Sequence, residues 1–375
     1  MRRAEYSRRG SCRTACRVDK ILWRLEIERK YMERALALAR LGEGFTSPNP
    51  MVGAVIVARG RIIGEGYHRR CGGPHAEVWA VRSVSDSDRQ LLPESTIYVT
   101  LEPCSHYGKT PPCARLLVDE GIRRVVVGCG DPNPRVSGRG VAMLREAGAE
   151  VVVGVMEDEC RALNRRFMVA QTMHRPYVML KWAMSADGFL DRRRDPEEPA
   201  AAFSTPLSLQ LMHRQRSLFD AILVGAQTVM ADNPSLTVRG VSGRSPRPVV
   251  VDRRGQASAS AKVFSSRECI YISSVGRSDL PEWVTCLRIA EDAGPQEIVM
   301  ALKELGVTSV MVEGGARILR SFIESGIWDD ARVEVSPDAL GDSGVAPIAL
   351  PAGIMSVSPL DSGNVIINVK NPLKS

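Results

Sequence analysis

The sequence predicts an α/β protein built as two layered domains, and three observations carry that prediction. Short runs of Val, Ile and Leu alternate with segments of helical periodicity along most of the chain, as strands alternating with helices do. The 375 residues suffice for two ordinary hydrophobic cores. Hydrophobic content of 44% and charged content of 25% are those of a soluble globular protein, and no apolar run reaches membrane-spanning length.

Taken in order, the first helix pattern begins around Glu26. Tyr31, Met32, Ala35, Leu38 and Ala39 recur there at helical spacing, and Gly42 is the stop. "MVGAVIVARGRIIGEGYH" predicts a hairpin with Arg59-Gly60 at its turn. A helix after His75 follows, then the strand "STIYVTL", the helix "PPCARLLVDEG", the strand "RRVVVGC", the helix "VAMLREAG" and the strand "EVVVGV". The second domain has the strands "YVMLKWAM", "AILVG", "PVVVD", "CIYISS", "SVMVEGG", "ARVEVSP" and "VIINV". Its helices are "TPLSLQLMHRQRS", "PQEIVMALKELG" and "ARILRSFIESG". The boundary falls between Ala170 and Arg175, giving domains of 26–172 and 175–372.

Charge and cysteine content narrow the class of function. The net charge of +7 points towards nucleic acid until it is located. Residues 1–30 hold ten Lys or Arg against four Asp or Glu, so they carry +6 of it and the folded body is nearly neutral. With aromatics at 5%, neither a basic groove nor a set of stacking platforms for nucleic acid is expected. Residues 1–25 read as a basic extension: a disordered tail, a start codon assigned too far upstream, or a transit-type segment. Nine scattered cysteines, an odd number, do not make a disulfide framework and favour a reducing, cytoplasmic compartment.

Two stretches carry chemistry. "HAEVWA" places His75 two residues before Glu77, and "EPCSHYGKTPPC" places Cys104 and Cys113 with eight residues between them, each preceded by a proline. One imidazole and two thiolates form a three-ligand zinc set that leaves a fourth position for water. Bound zinc lowers the pKa of that water towards neutrality, and Glu77 is spaced to shuttle its proton without ligating. Zinc deaminases show H-x-E followed by P-C-x-x-C. The longer gap between the cysteines departs from that form. Alone, H-A-E or a cysteine pair would mean little; together, at successive strand-to-helix junctions, they predict a catalytic zinc.

With "SPNPMVGAVIV", "GEGYH", "GGPHAEVWA", "VTLEPCSHYGKTPPC" and "GCGDPNPRVSGRG", the first half resembles the deaminase of the bifunctional riboflavin-biosynthesis deaminase–reductase family. The resemblance runs from about Glu26 to the end of the chain. It implies a cytidine-deaminase-like three-layer domain followed by a dihydrofolate-reductase-like domain. The substrate implied is a diaminopyrimidinone ribosylamino phosphate. His75, Cys104 and Cys113 would hold zinc, Glu77 would be catalytic, and Asn49, His68, His106, Lys109, Asp131 and Asn133 would line the substrate pocket.

In the second half, "LKWAMSADGFL", "DAILVGAQTVMADNPSLTVR" and "VMVEGGARILRSFIESGIWDD" resemble the family's reductase, which implies NADPH as hydride source. By that match Lys181, Ser204, Arg216, Arg239 and Glu313 would contact substrate, while Ser185, Asp187, Asp232, Gly314 and Gly315 would contact cofactor. A G-x-G-x-x-G after a strand is absent, so no Rossmann site is expected. Two stretches depart from the family. "DPEEPAAAFST" has Ala202 and Phe203 near the usual Ser and Trp, and "VVVDRRGQASAS" lacks the usual Arg-Pro, offering Arg253 or Arg254 to a cofactor 2′-phosphate instead. The departures leave an alternative open, a deaminase whose C-terminal domain has lost activity. A homo-oligomer acting on a small molecule, with no nucleic-acid or membrane partner, completes the expectation.

Overall fold

Alternation within single strands sets the layering of the first unit. Along β1 (Gly53–Ala58), Ala54, Ile56 and Ala58 join one core cluster, and Val55 and Val57 join the other. Successive side chains of a strand point to opposite faces, so a strand that is apolar at every position must be covered on both sides. The computed structural model describes residues 11–107, 111–133, 136–195, 198–265, 268–360 and 362–372, with backbone alone for 11–25 and 346. The chain divides into units Met1–Met168 and Val169–Ser375.

The first unit contains α1 (Ser11–Arg40), β1, β2 (Arg61–Tyr67), α2 (Ala76–Arg82), β3 (Thr96–Leu101) and α3 (Cys113–Asp119). β4 (Arg124–Cys129), α4 (Arg139–Glu146), β5 (Glu150–Val153) and α5 (Glu157–Leu163) follow, and α6 (Arg165–Thr172) contains the division after Met168. The sheet order is β2-β1-β3-β4-β5, with β1 antiparallel to β2 and β3, and β3, β4 and β5 parallel. Residues of α1 and α5 cover one face; residues of α2, α3 and α4 cover the other. The α1 helix starts well before Glu26, where apolar periodicity places it; the pattern registers only the stretch carrying the buried Tyr31, Met32, Ala35, Leu38 and Ala39.

The β1–β2 turn is Arg59-Gly60, with φ of 52° and 76°. Positive φ at both central residues matches the twist of a two-residue hairpin. Close approach of layers demands glycine at two points. A Cβ on Gly53 would lie 1.9 Å from the Ala35 carbonyl oxygen of α1, and one on Gly66 would lie 2.3 Å from the Ala76 carbonyl oxygen of α2. The second contact seats α2, and with it His75 and Glu77, directly against β2.

The second unit begins with β6 (Tyr177–Met184), β7 (Phe189–Arg192), α7 (Pro206–Arg216), β8 (Ala221–Gly225), α8 (Ala226–Asp232) and β9 (Arg247–Val251). It continues through β10 (Cys269–Ser273), β11 (Val284–Arg288), α9 (Pro295–Glu304), β12 (Ser309–Gly314) and α10 (Ala316–Glu324). It closes with β13 (Asp330–Val335), β14 (Gly344–Pro347), β15 (Ile354–Pro359) and β16 (Val365–Lys370). The nine-stranded order is β11-β10-β9-β8-β12-β6-β13-β16-β15. It is parallel from β11 to β13, and β16 pairs antiparallel with both its neighbours. Ile298, Val299 and Leu302 of α9 and Leu319 and Phe322 of α10 pack on Leu180, Leu223 and Val312. Burying each such side chain contributes roughly 1.5–3 kcal/mol.

After β8 the chain builds outward through β9, β10 and β11, then returns to place β12 on the other side of β8. That reversal opens a crevice at the carboxyl ends of β8 and β12, where open α/β sheets bind ligands. The strands β7, β11, β14 and β15 and the helices α5, α6 and α8 have no counterpart among the elements expected from the sequence. β15 is exposed at every position and β11 alternates only weakly, so neither shows the apolar run by which a strand is recognised.

Candidate active sites

In the first unit, two strand-to-helix junctions converge, β2 to α2 and β3 to α3. His75 caps α2 with extended backbone (φ −73°, ψ 168°), Cys113 is the first residue of α3, and Cys104 lies in the loop that follows β3. His75 Nδ1 lies 3.5 Å from Cys104 Sγ and 3.3 Å from Cys113 Sγ, and the donor atoms of all three residues lie within 4.8 Å of one another. The Cys113 backbone N–H donates to Cys104 Sγ at 3.3 Å.

The donor set fits a soft divalent cation. Cys113 and His75 together pull the Cys104 thiol down to about 4, while the neighbouring sulfur and burial push Cys113 up. The Cys104 thiolate in turn raises His75 to about 9, against burial. Three ligands thus compete for protons that a metal would displace, the usual linkage between such a site and its ion.

Glu77 sits one helical step inside, 3% exposed. Burial, then the charge on Cys104, pushes its carboxyl up to about 7. A carboxyl poised near neutrality gives and takes protons readily. His68 is buried, its ring edge-on to His75 at 5.6 Å. With Nδ1–H donating to the Pro74 carbonyl at 3.1 Å, His68 Nε2 accepts from the Asn49 amide at 3.2 Å. Burial lowers the His68 pKa and favours this neutral form.

Asp131 and Asn133 occupy the loop after β4, where the Asn133 N–H donates to Asp131 Oδ1 at 2.8 Å. Burial raises the Asp131 pKa, with Glu102 and Cys104 adding to the effect. His106 is exposed in the loop between Cys104 and Cys113. Lys109 lies outside the described residues.

In the second unit, three cavities of about 610, 760 and 300 Å³ lie around the crevice of β8 and β12. Lys181, Asp232, Glu313 and Gly315 line the largest, and Arg216, Asp232, Arg239 and Lys262 the smallest. Burial lowers the Lys181 pKa in spite of Glu313. Arg216 and Glu313 are bound to each other, Nη2 to Oε2 at 2.6 Å and Nε to Oε1 at 2.7 Å. Arg216 was expected to meet a phosphate; here its fork already holds a carboxylate, and Arg239 and Lys262 are the other cations of that cavity.

Ser204 donates to Glu334 Oε2 at 2.6 Å, and Asp232 accepts from Arg194 at 2.5 Å. Ser185 donates to Asp187 Oδ1 at 2.6 Å, and Asp187 accepts the N–H groups of Leu340 and Gly341. Those two side chains face each other and residues 340–341, and neither lines the three cavities. Gly314, with φ of +121°, ends β12, and Gly315 precedes α10.

Two families match this chain. Residues 25–129 match the cytidine and deoxycytidylate deaminase zinc-binding region, and residues 176–358 match the RibD C-terminal domain. The riboflavin biosynthesis protein RibD of Aquifex aeolicus is 41% identical over 84% of this chain and 89% of its own length. This chain belongs to the RibD family. RibD of Escherichia coli is 35% identical over 86% of this chain and 90% of its own. Among solved structures, a diaminohydroxyphosphoribosylaminopyrimidine deaminase/5-amino-6-(5-phosphoribosylamino)uracil reductase from Thermotoga maritima superposes with a TM-score of 0.82. It is 35% identical and covers 93% of this chain and 99% of that one. Acinetobacter baumannii RibD matches with a TM-score of 0.82 at 34% identity, over 92% of this chain and 99% of its own.

As a RibD, the chain is a bifunctional enzyme of riboflavin biosynthesis. It joins a zinc-binding deaminase domain of cytidine-deaminase-like fold to a reductase domain of dihydrofolate-reductase-like fold. Among the described residues no helix is long and apolar enough to cross a membrane.

Sequence reasoning missed several residues that position the RibD sites. Glu102, 5% exposed, collects the backbone N–H groups of Asp131, Gly138, Gly140 and Val141 at 2.9–3.4 Å. Its one signal was its place at the end of β3, directly before Pro103. Glu334 accepts from both Ser204 and Asn364, and Asn364 also donates to the Phe203 carbonyl. Phe203, at the departure from the family pattern, is 8% exposed.

Proposed function

We propose that the first unit deaminates a diaminopyrimidinone ribosylamino phosphate hydrolytically and that the second reduces the ribosyl chain of the product with NADPH. One observation supports the reading above the others: His75, Cys104 and Cys113 converge beside a buried Glu77 in a chain whose relatives span both halves. His75, Cys104 and Cys113 would hold zinc, which supplies a water ionised near neutral pH.

Every other part of the deamination falls to side chains. Asn49 and His68 present an amide and a ring nitrogen to the carbonyl and amino groups of the pyrimidine, with Asp131 and Asn133 across from them. His106 and Lys109 meet the ribosyl phosphate end. As water adds to the amino-bearing ring carbon, Glu77 takes its proton and hands it to the departing nitrogen. The carbon–nitrogen bond breaks and ammonia leaves.

For the second step, bound NADPH supplies a hydride for C1′, opening the sugar to a ribityl chain. Lys181 and Ser204 hold the sugar chain and the ring. Arg239 meets the phosphate, with Arg216 held in place by Glu313. Gly314 and Gly315 bring backbone without side chains to the start of α10, where a phosphate is favoured. Ser185, Asp187 and Asp232 shape the cofactor side. The alternative of an inactive C-terminal half finds no support in relatives that carry both domains.

The test is a paired assay on zinc-loaded full-length protein with the substrate and NADPH in one tube. Ammonia released and nicotinamide oxidised should be near-equal. Ammonia without nicotinamide oxidation would remove the second half of the proposal.

A further inference from the structure

The 610 Å³ cavity beside the crevice is lined by Gly225 from β8, by Val251 to Arg254 and Gln256 beyond β9, and by Gly315 to Ile318 and Arg320 of α10 and its approach. Four arginines reach it: Arg253, Arg254, Arg317 and Arg320. Their circumstances differ. Arg253 donates to the backbone carbonyls of Glu291 and Ala293, which fastens it to the far wall. Arg320 donates to the Pro347 carbonyl at 2.5 Å. Arg254 and Arg317 are exposed and have no hydrogen-bond or ion-pair partner among the described residues.

We infer that Arg254 is the residue that selects NADPH over NADH, by binding the 2′-phosphate of the adenosine ribose. The inference rests on the proposed reductase function and specifies its cofactor.

Strand order places the residue. β9, β8 and β12 are consecutive in the sheet, and neighbouring strands lie about 4.8 Å apart. The end of β9 is therefore roughly 10 Å from the glycine turn after β12. A cofactor diphosphate held at that turn directs its adenosine ribose across β8 towards β9, within reach of an arginine there.

A competing selector stands next to it. An acid at the end of a strand binds an unphosphorylated ribose 2′-OH in NAD sites, and Asp252 directly follows β9. Asp252 is 1% exposed, however, and its Oδ2 already accepts from the Ala257 N–H at 2.8 Å and the Tyr271 hydroxyl at 2.9 Å. Turned inward, it neither reads a 2′-OH nor repels a phosphate. Among the other charged groups of the lining, Glu291 lies on the wall to which Arg253 is fastened, whereas Arg254 lies just beyond β9 and offers a guanidinium, which binds phosphate bidentately.

Binding, rather than turnover, tests the assignment. Titrating the full-length chain with NADPH, NADH, 2′,5′-ADP and 5′-AMP should show the phosphorylated member of each pair bound more tightly. Arg254→Ala should weaken NADPH and 2′,5′-ADP by about 10- to 100-fold, the range for a charge-assisted contact. NADH and 5′-AMP should change less than about 2-fold. Arg254→Lys should recover part of the loss. Unchanged NADPH and 2′,5′-ADP affinities in Arg254→Ala would overturn the inference while leaving the reductase standing. Wild-type protein that binds neither NADPH nor NADH would overturn the reductase reading and this inference with it. Arg253→Ala serves as the comparison and should affect both cofactors alike.

Discussion

The Glu102 carboxylate accepts the backbone N–H of Gly140 at 2.9 Å, and a Cβ on Gly140 would lie 2.0 Å from the Pro103 carbonyl oxygen. The loop carrying Asp131 and Asn133 is therefore pinned to the one carrying Cys104 by a single buried acid and one close backbone approach. Glu102→Ala strands several buried N–H groups and should destabilise the deaminase unit by at least about 3 kcal/mol. Glu102→Gln keeps the shape and loses the charge, so its cost should be smaller. Thermal denaturation of the two variants checks the order.

The Arg175–Asp329 pair holds the start of the second unit. The side chains are 4% and 0% exposed, their closest atoms 2.6 Å apart, and Asp329 also accepts the Val178 N–H at 2.8 Å. Removing one partner of a buried pair leaves a buried charge, which costs about 3–5 kcal/mol. Asp329→Ala should unfold the reductase unit at markedly lower denaturant while zinc binding persists. Zinc content and a denaturation curve on one sample separate the two effects.

These two residues show where sequence legibility stops. The cluster of His75, Cys104 and Cys113 beside Glu77 could be read as a candidate metal site because local spacing and flanking prolines mark it. The strands of both cores could be read because a sheet covered on two faces needs unbroken apolar runs. Glu102 and Asp329 act on backbone N–H groups in distant loops, and no local pattern records that. The same limit hid β15, which has no buried face to pattern. It also hid the Arg216–Glu313 pair, whose members are 97 residues apart.

Asp187 makes a pH-dependent clasp. Hydrogen bonds from Ser185, Leu340 and Gly341 pull its pKa down to about 2. A depressed carboxylate stabilises above its unfolded pKa, and that contribution is lost as pH falls through the folded value. The clasp should hold at pH 5 and open between about pH 4, the unfolded value, and pH 2. Hydrogen exchange at the Leu340 and Gly341 amides, compared with Asp187→Asn, reads this directly.

The two-point contact of Arg216 with Glu313 predicts that charge alone does not suffice. Arg216→Lys keeps the cation but loses the fork. Reductase kcat/KM should fall by about 10- to 100-fold, with ammonia release unchanged. Equal losses in both activities would show that the substitution damages more than the reductase site.

Under the proposed function, Glu77 moves the proton in a deamination at the His75, Cys104 and Cys113 site. The most direct test is Glu77→Gln, with zinc content and ammonia release measured on the same preparation. The variant should hold one zinc per chain, as the wild type should, and release ammonia about 10²- to 10⁴-fold more slowly. A zinc-replete variant that releases ammonia at the wild-type rate would contradict it.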